Sequence, residues 1–556
     1  MEIGGTAELK MERTESVEEE RRHTVAQQEQ SPALTLRSVL EGVDVRSGAA
    51  ARETRIKQIT NDSRKVQPGA LFVAIHGVAT DGNLYAKAAA EHGAAALVSE
   101  TPAPADWDRE IPWIEVQDAR KALAVAAANF FGKPATSMKL VGVTGTNGKT
   151  TTTSLIDSII RASGAKTGLF GTIAYHTPQG EHPAPNTTPE SVDLQSFLAE
   201  TRDAGGTYAT MEASSHALAM DRVWGLHFAV TVFTNLTRDH IDYHKTFENY
   251  FAAKQRLFEG TGAGAPEVGV VNTDDQWGRK LVGLARRTLT YGLQNGADLK
   301  AKKFALSFNG LNFSAQTPNG MIQVESHLVG RINVYNILAA IGAGIGLGFS
   351  NDVIETGISN LQAVAGRFQR IDEGQPFLVV VDYAHTPDAL ENLIRTAKEL
   401  NTKGRIITLF GCGGSRDRTK RPIMGELSGK MSDLSILTSD NPRAEDPLKI
   451  ISDVVVGMQR SGGKYMIEPD RVQAIRLAIE EARAGDIVLL AGKGHEDYQV
   501  FADRTIIWTI AKKRGMRCTS EDTEQQEAAH NVCAGRSACA TRLRVWFLAR
   551  LWFWPV

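Results

Sequence analysis

The sequence predicts an α/β protein of three domains built on mostly parallel sheets. Three observations carry that expectation. The chain has 556 residues, more than a single hydrophobic core organises. From Lys139 onward it repeats short apolar runs that scarcely alternate, such as KLVGV, YATMEA, FAVTVF, FLVVV, RIITLF, LSILT and DIVLL, the pattern of strands buried on both faces. Helical stretches separate these runs, and each run ends in a polar cluster: TGTNGKTT, SSHALAMDR, TRDHIDYH, DYAHTP, GCGGSRDRTKRP, SDNPRAEDP and AGKGHEDYQ. Ligands of open α/β sheets bind beyond the carboxyl ends of the strands, so these clusters predict one catalytic cleft between two sheet domains.

The segments follow in order. Residues 1–34 are charged and lack apolar periodicity, and are expected to form a disordered extension without the apolar centre of a signal peptide. Residues 35–137 form a first domain, with apolar runs ALFVAI and AALVSE and a helix over 117–131 that Gly132-Lys133-Pro134 stops. Residues 138–364 form the central domain, including a helix over 333–348. The loop AVAGRFQR supplies, around 363–367, the hinge into a C-terminal domain at 365–516. Residues 517–556 are a divergent tail, polar and then aromatic and basic, for which disorder is favoured over a membrane-surface anchor.

Bulk properties narrow the function. A formal net charge of -2 gives no sign of a nucleic-acid partner. Of four cysteines only Cys412 lies in the body of the chain, so neither a disulfide framework nor a structural zinc site is expected. No run approaches the roughly 20 apolar residues of a membrane span. A soluble, cytoplasmic, monomeric protein is expected.

TGTNGKTT is the strongest local signal. A glycine-rich turn between a strand and a helix turns backbone N–H groups toward a phosphate chain, and the helix N-terminus adds partial positive charge. Gly145 and Gly148 permit close approach, Lys149 neutralises phosphate oxygens, Thr150 suits Mg²⁺, and Thr146, Asn147 and Thr151 complete the turn. Val143 stands where the usual GxxxxGK[ST] pattern has its first glycine, but KLVGV before the loop and TTSLIDSIIRAS after it supply the strand and helix that the pattern requires. The central domain is therefore expected to be of P-loop type, and the later strand series Rossmann-like.

NTTP, EASSH, NLTRDHIDYH, AAKQRLF, GRINVYN, AGRFQ and DYAHTPD follow the loop in that order. With them the chain resembles the Mur ligase family of ATP-dependent amide-forming enzymes over residues 35–504. GGSRDRTKRP, DNPR and GKGHEDYQ resemble the type that joins meso-diaminopimelate to UDP-N-acetylmuramoyl-L-Ala-D-Glu in peptidoglycan precursor synthesis. The resemblance implies that a substrate carboxylate attacks the γ-phosphate of ATP, and that an amine then displaces phosphate from the acyl phosphate. Such chemistry needs charge neutralisation and alignment more than acid–base groups.

The same resemblance implies a catalytic set of Lys149, Lys254, His240 and Glu212, with Thr150, Glu212, His240 and Lys254 around Mg²⁺. Lys254 stands where the family carries a lysine carbamylated by CO₂, a change that turns a cation into an anionic oxygen donor; by sequence alone it is an ordinary surface lysine of the helix ENYFAAKQRLF. Asn333, Asn336, Arg367, Asp382 and His385 are implied on the adenine and ribose side, since amides read adenine's edge and a carboxylate suits ribose hydroxyls. Asn336 alone reads equally as a helix cap. Ser63 and the 76–79 turn, with His76, are implied to hold the uridine nucleotide, although NDS is also strong turn chemistry. Asn186, Thr187, Thr188, Ser214 and Arg222 are implied to hold the sugar–peptide part, while Met220 departs from the glutamine the family often has there.

For the amine, Asp440, Asn441, Pro442 and Arg443 form a stiff turn at a strand end, and a planar guanidinium suits bidentate capture of a carboxylate. By the resemblance, in which lysine-adding members generally lack this arginine, Arg443, with Arg416, Gly492 and Glu496, implies diaminopimelate, whose far end carries the carboxylate and stereocentre that lysine lacks. The alternative for Arg443 is a surface ion pair with Glu445 or Asp446. Alternatives for the whole chain are a relative that adds L-lysine and a P-loop NTPase acting as a switch or binding module.

Overall fold

The computed structural model describes residues 34–507 except 49–52, 78–79, 108–109, 295 and 401–402. The expected tail lies outside the described residues, as does the extension apart from Leu34, which pairs with Ile56 at the edge of the first domain.

The first domain holds a five-stranded sheet in the order Val45–Ser47, Trp113–Val116, Ala94–Ser99, Ala70–Val73, Gln58–Thr60, antiparallel only at its first pair. Its helix runs Ala119–Phe130. It starts there because the Asp118 carboxylate accepts the Arg120 and Lys121 backbone N–H groups, both at 3.0 Å, satisfying donors that a helix start leaves free.

The central sheet has eleven strands. Seven are parallel, from Thr167–Phe170 through Tyr208–Glu212, Lys139–Thr144, Phe228–Phe233, Val268–Asn272 and Arg287–Gly292 to Leu299–Ser307. Helices Lys149–Ala162 and Arg331–Leu347 cover one face with Ile156, Ile159, Ile337 and Ile341. Helices Ser191–Asp203 and Phe247–Glu259 cover the other with Leu194, Leu198, Leu257 and Phe258. Burial on both faces is why these strands scarcely alternate. Gly342 lets the long helix sit close, since a Cβ there would lie 2.6 Å from Val270 Cγ1.

Antiparallel strands extend both edges, Tyr175–Thr177 and Gly180–His182 on one side, Gly310–Thr317 and Gly320–Ser326 on the other. The last of these alternates buried and exposed positions, as strands wetted on one face do.

The C-terminal domain has six strands in the order Gln369–Ile371, Leu378–Asp382, Ile487–Ala491, Ile406–Phe410, Leu434–Leu437, Tyr465–Ile467, parallel except for the first. Helices Pro387–Leu400, Lys420–Met431 and Pro447–Ser461 bury one face, and Arg471–Glu481 the other. Among the described residues no helix is long and apolar enough to cross a membrane.

Candidate active site

The loop after Lys139–Thr144 is shaped by two glycines. Gly145 has φ +148 and a Cβ there would lie 1.8 Å from Thr234 Oγ1; Gly148 has φ +88 and a Cβ would lie 2.5 Å from Asn336 Oδ1. Asn235 holds the loop from outside, its side-chain oxygen accepting Asn147 N–H at 3.0 Å and its carbonyl accepting Thr146 N–H at 2.8 Å. Lys149 Nζ donates to the Gly145 and Thr146 carbonyls at 3.1 and 2.9 Å. Burial lowers its pKa, against the pull of Glu212 and Asp239.

A cleft of about 240 Å³ opens over this loop. Residues 146–151 line it together with Thr172, Thr187, Glu212, Asp239, His240, Asn333, Asn336, Arg367, Asp382, Tyr383 and His385. Side-chain hydrogen bonds draw the C-terminal domain onto the central one. Arg367 Nη2 donates to Thr150 Oγ1 at 2.9 Å, Asn147 Nδ2 to Asp388 Oδ2 at 2.7 Å, and Arg238 Nη2 to Thr419 Oγ1 at 2.7 Å.

Glu212 ends its strand nearly fully buried, with one oxygen accepting Thr172 N–H at 2.8 Å and the other Thr172 Oγ1–H at 3.1 Å. His240 occupies the left-handed region at φ +55. Burial pushes its pKa down to about 3 despite Asp239, whose Oδ2 lies 3.3 Å from Nε2. A neutral imidazole keeps a lone pair to offer a cation.

Lys254 is not a surface lysine. It is 1% exposed, donates to Gly145 O at 2.7 Å and sits 4.6 Å from the Tyr250 ring centre. Burial first, and Lys149 second, hold its pKa well below the usual lysine value. The apolar side of its helix explains this: Tyr250, Phe251, Leu257 and Phe258 are buried with it.

Asn336 is not a helix cap. Gly330 precedes the first turn of Arg331–Leu347, and Asn336 lies inside it. Its Nδ2 donates to Asn333 Oδ1 at 2.8 Å, and Asn333 Nδ2 donates to Val329 O at 2.8 Å. The Asp382 carboxylate accepts Phe368 and Ala384 N–H at 2.7 and 2.8 Å, so it also ties down the loops beside it. His385 Nδ1 is 2.9 Å from Tyr383 O and its Nε2 is 4.0 Å from Asp239.

Next to Glu212, Thr188 Oγ1 donates to the Glu212 carbonyl at 2.6 Å and stands 3.3 Å from Ser214 Oγ. Thr187 Oγ1 lies 3.2 Å from Thr172 Oγ1, and the Asn186 carbonyl accepts from Tyr175. Arg222 donates to Thr188 O at 3.0 Å and pairs with Glu190 at 2.5 Å, with Met220 Sδ 3.9 Å away. Ser63 and His76 lie in the first domain and do not line the cleft. Ser63 begins a 3-10 turn capped by the Asp62 carboxylate, and His76 is exposed, 3.4 Å from Asp81. Residues 78–79 of the expected turn lie outside the described residues.

Around DNPR, Asp440 and Asn441 are buried. Arg443 has φ +52, its N–H donates to Val500 O at 3.0 Å, and its Nη1 donates to Gly414 O at 3.0 Å. Neither alternative ion pair forms. Glu445 is taken by buried Arg421 at 2.9 Å, and Asp446 caps the next helix by accepting Leu448 N–H at 2.8 Å. Burial first, and Arg416 second, lower the Arg443 pKa, and both side chains flank Gly413, where a Cβ would lie 3.0 Å from Arg443 Nη1 and 3.9 Å from Arg416 Cγ. Glu496 accepts from Tyr383 OH at 3.1 Å, Asn441 Nδ2 at 3.2 Å and Lys493 Nζ at 2.9 Å. Gly492 N–H donates to Asp382 O at 3.0 Å.

The structure adds Thr172, Asp239, Tyr383, Asp388 and Lys493 to the residues expected. Asp239, Tyr383, Asp388 and Lys493 lie within motifs already singled out, and Thr172 follows the strand Thr167–Phe170, so the strand-end rule reaches it.

Comparison with known proteins gives a consistent picture. Residues 55–131 match the Mur ligase family catalytic domain, 143–344 the Mur ligase middle domain, and 366–494 the Mur ligase glutamate ligase domain. A UDP-N-acetylmuramoyl-L-alanyl-D-glutamate–2,6-diaminopimelate ligase of Solibacter usitatus is 53% identical over 455 residues, covering 82% of this chain and 92% of its own. One of the same name from Geobacillus kaustophilus is 44% identical, covering 87% and 99%. A solved structure of that name is 34% identical with TM-score 0.61, covering 86% of this chain and 97% of its own. A MurF structure from Acinetobacter baumannii, 20% identical with TM-score 0.61 over 84% and 97%, shares the fold.

Proposed function

The chain belongs to the Mur ligase family, and from that premise we propose that it is an ATP-dependent ligase that joins meso-diaminopimelate to the D-glutamate of UDP-N-acetylmuramoyl-L-Ala-D-Glu. One observation carries this reading: the phosphate loop and the DNPR turn belong to one continuous set of contacts, through Thr150, Arg367, Tyr383, Glu496 and Asn441. A nucleotide switch has no use for a further guanidinium, that of Arg443, and a further carboxylate, that of Glu496, at neighbouring strand ends.

Lys149 and the loop N–H groups hold the phosphates of ATP, and Asn333, Asn336, Arg367, Asp382 and His385 hold its nucleoside. The glycine geometry supports the fit, because a Cβ at Gly145 or Gly148 would strike Thr234 or Asn336 and force the loop out of this shape. Asn186, Thr187, Thr188, Ser214 and Arg222 orient the dipeptide carboxylate toward the loop, with Ser63 and His76 on the uridine end. Mg²⁺ is usually held by one or two protein carboxylates together with phosphates and water. Thr150, Glu212 and His240 are its proposed ligands, and the ion supplies charge neutralisation for phosphoryl transfer. Lys254, whose pKa burial lowers, is the proposed nucleophile for CO₂, losing a proton as the N–C bond forms, and its carbamate would add anionic oxygens beside those of Glu212. The dipeptide carboxylate attacks the γ-phosphorus with ADP leaving; the diaminopimelate amine then attacks the acyl carbon, phosphate leaves and the amine loses a proton.

The test is phosphate release with ATP, the nucleotide dipeptide and either diaminopimelate or L-lysine. Release that requires both the dipeptide and diaminopimelate supports the proposal. Release without an acceptor points to a switch, and equal rates with lysine would remove the amine assignment.

A further inference from the structure

The GKGHE segment contains a second charged side chain, besides Glu496, that the proposed reaction leaves unused. Lys493 is 2% exposed. Its Nζ donates to Asn441 Oδ1 at 2.7 Å and to Glu496 Oε2 at 2.9 Å, lies 3.8 Å from Asp440 Oδ1, and sits 5.3 Å from the Tyr498 ring centre. An ammonium has three donors and no acceptor, so it dictates how its neighbours face. Asn441 must turn its oxygen toward Lys493 and toward Val500 N–H at 2.9 Å, which leaves its amide N–H groups for Glu496 at 3.2 Å. Glu496 is thereby gripped on Oε2 by Lys493 and Asn441, and on Oε1 by Tyr383 OH.

We propose that Lys493 is a positioning residue for the amine substrate, fixing the Glu496 carboxylate and the Asn441 amide in the orientation that receives the substrate's distal ammonium and carboxylate. This rests on the amine-ligase reading above. The electrostatics agree. Asp440 and Glu496 place two carboxylates in one buried pocket, and like charges there repel strongly at low dielectric. Lys493 balances one of them from behind, and Arg471, itself buried and donating to Ala491 O at 2.7 Å, lies within electrostatic reach of both. The pocket thus offers an anion to the substrate ammonium without holding two uncompensated charges when empty.

Steady-state kinetics of the full chain test the assignment, using K493M, K493R, E496Q and the K493M/E496Q double variant. K493M is expected to raise the diaminopimelate KM roughly ten-fold or more while the ATP KM stays within roughly two-fold, with K493R intermediate. Because the lysine acts through the carboxylate, the double variant is expected to be no worse than E496Q alone. An unchanged amine KM in K493M, or effects that multiply in the double variant, overturns the proposal. If K493M does not fold by circular dichroism, E496Q against the double variant decides, since that pair removes cation and anion together. Failure of the underlying reading looks different: the wild-type protein would then show no diaminopimelate-dependent phosphate release at all.

Discussion

Replacing Arg443 removes the side chain on which the choice of amine rests. Its guanidinium spends Nη1 on Gly414 O, at 3.0 Å, with Asn441 O more distant at 3.4 Å. Nε and Nη2 make no protein hydrogen bond among the described residues, so one edge of the fork remains for a carboxylate. A charge-assisted hydrogen bond of this kind contributes about 1.5–3 kcal/mol. At about 1.4 kcal/mol per decade, Arg443→Ala should raise the diaminopimelate KM by roughly 10- to 150-fold. Arg443→Lys keeps a charge but loses the planar fork, and should fall between. The assay is phosphate release at saturating ATP and nucleotide dipeptide, titrating diaminopimelate. The ATP KM should hardly move, because Arg443 does not line the nucleotide cleft. Equal amine KM values in wild type and both variants would refute the reasoning.

Three further outcomes are expected. Gly145→Ala pushes a methyl group to 1.8 Å from Thr234 Oγ1 and should abolish measurable ATP binding by calorimetry while the far-UV spectrum stays native; retained affinity would mean that the loop does not cradle phosphate. With ¹³C-labelled bicarbonate, the protein should show a carbamate carbon resonance that Lys254→Met loses along with most activity, and an unmodified, fully active Lys254 would end that assignment. Stability should fall as pH drops from about 6.5 toward 4, because burial pushes buried His244 down to about 4. The unfolded chain, with histidine near 6.5, binds more protons across that window, so the stabilisation is complete above it and lost on acidification. Urea midpoints that do not fall between pH 7 and 5, or that fall equally in His244→Asn, would contradict this.

By itself the sequence determined whatever depends on neighbours along the chain. Unalternating strands such as Lys139–Thr144 announce burial on both faces, and a glycine turn between strand and helix announces a phosphate loop, because backbone geometry is a local property. The strand-end rule likewise collected most cleft residues, since it needs only to know where each strand stops. The antiparallel strand pairs at the sheet edges escaped because, like all pairing, they depend on partners that local pattern does not name. Only the tertiary structure decided whom each side chain meets. Lys254 reads as a surface lysine until its helix packs and takes it to 1% exposure. Asn336 reads as a cap until Gly148 arrives beside it. Glu445 stands two residues from Arg443 yet bonds Arg421, and that choice leaves one edge of the Arg443 fork for a ligand. Charge pairing and burial are settled by distances in space, and chain spacing carries too little information about those to fix them.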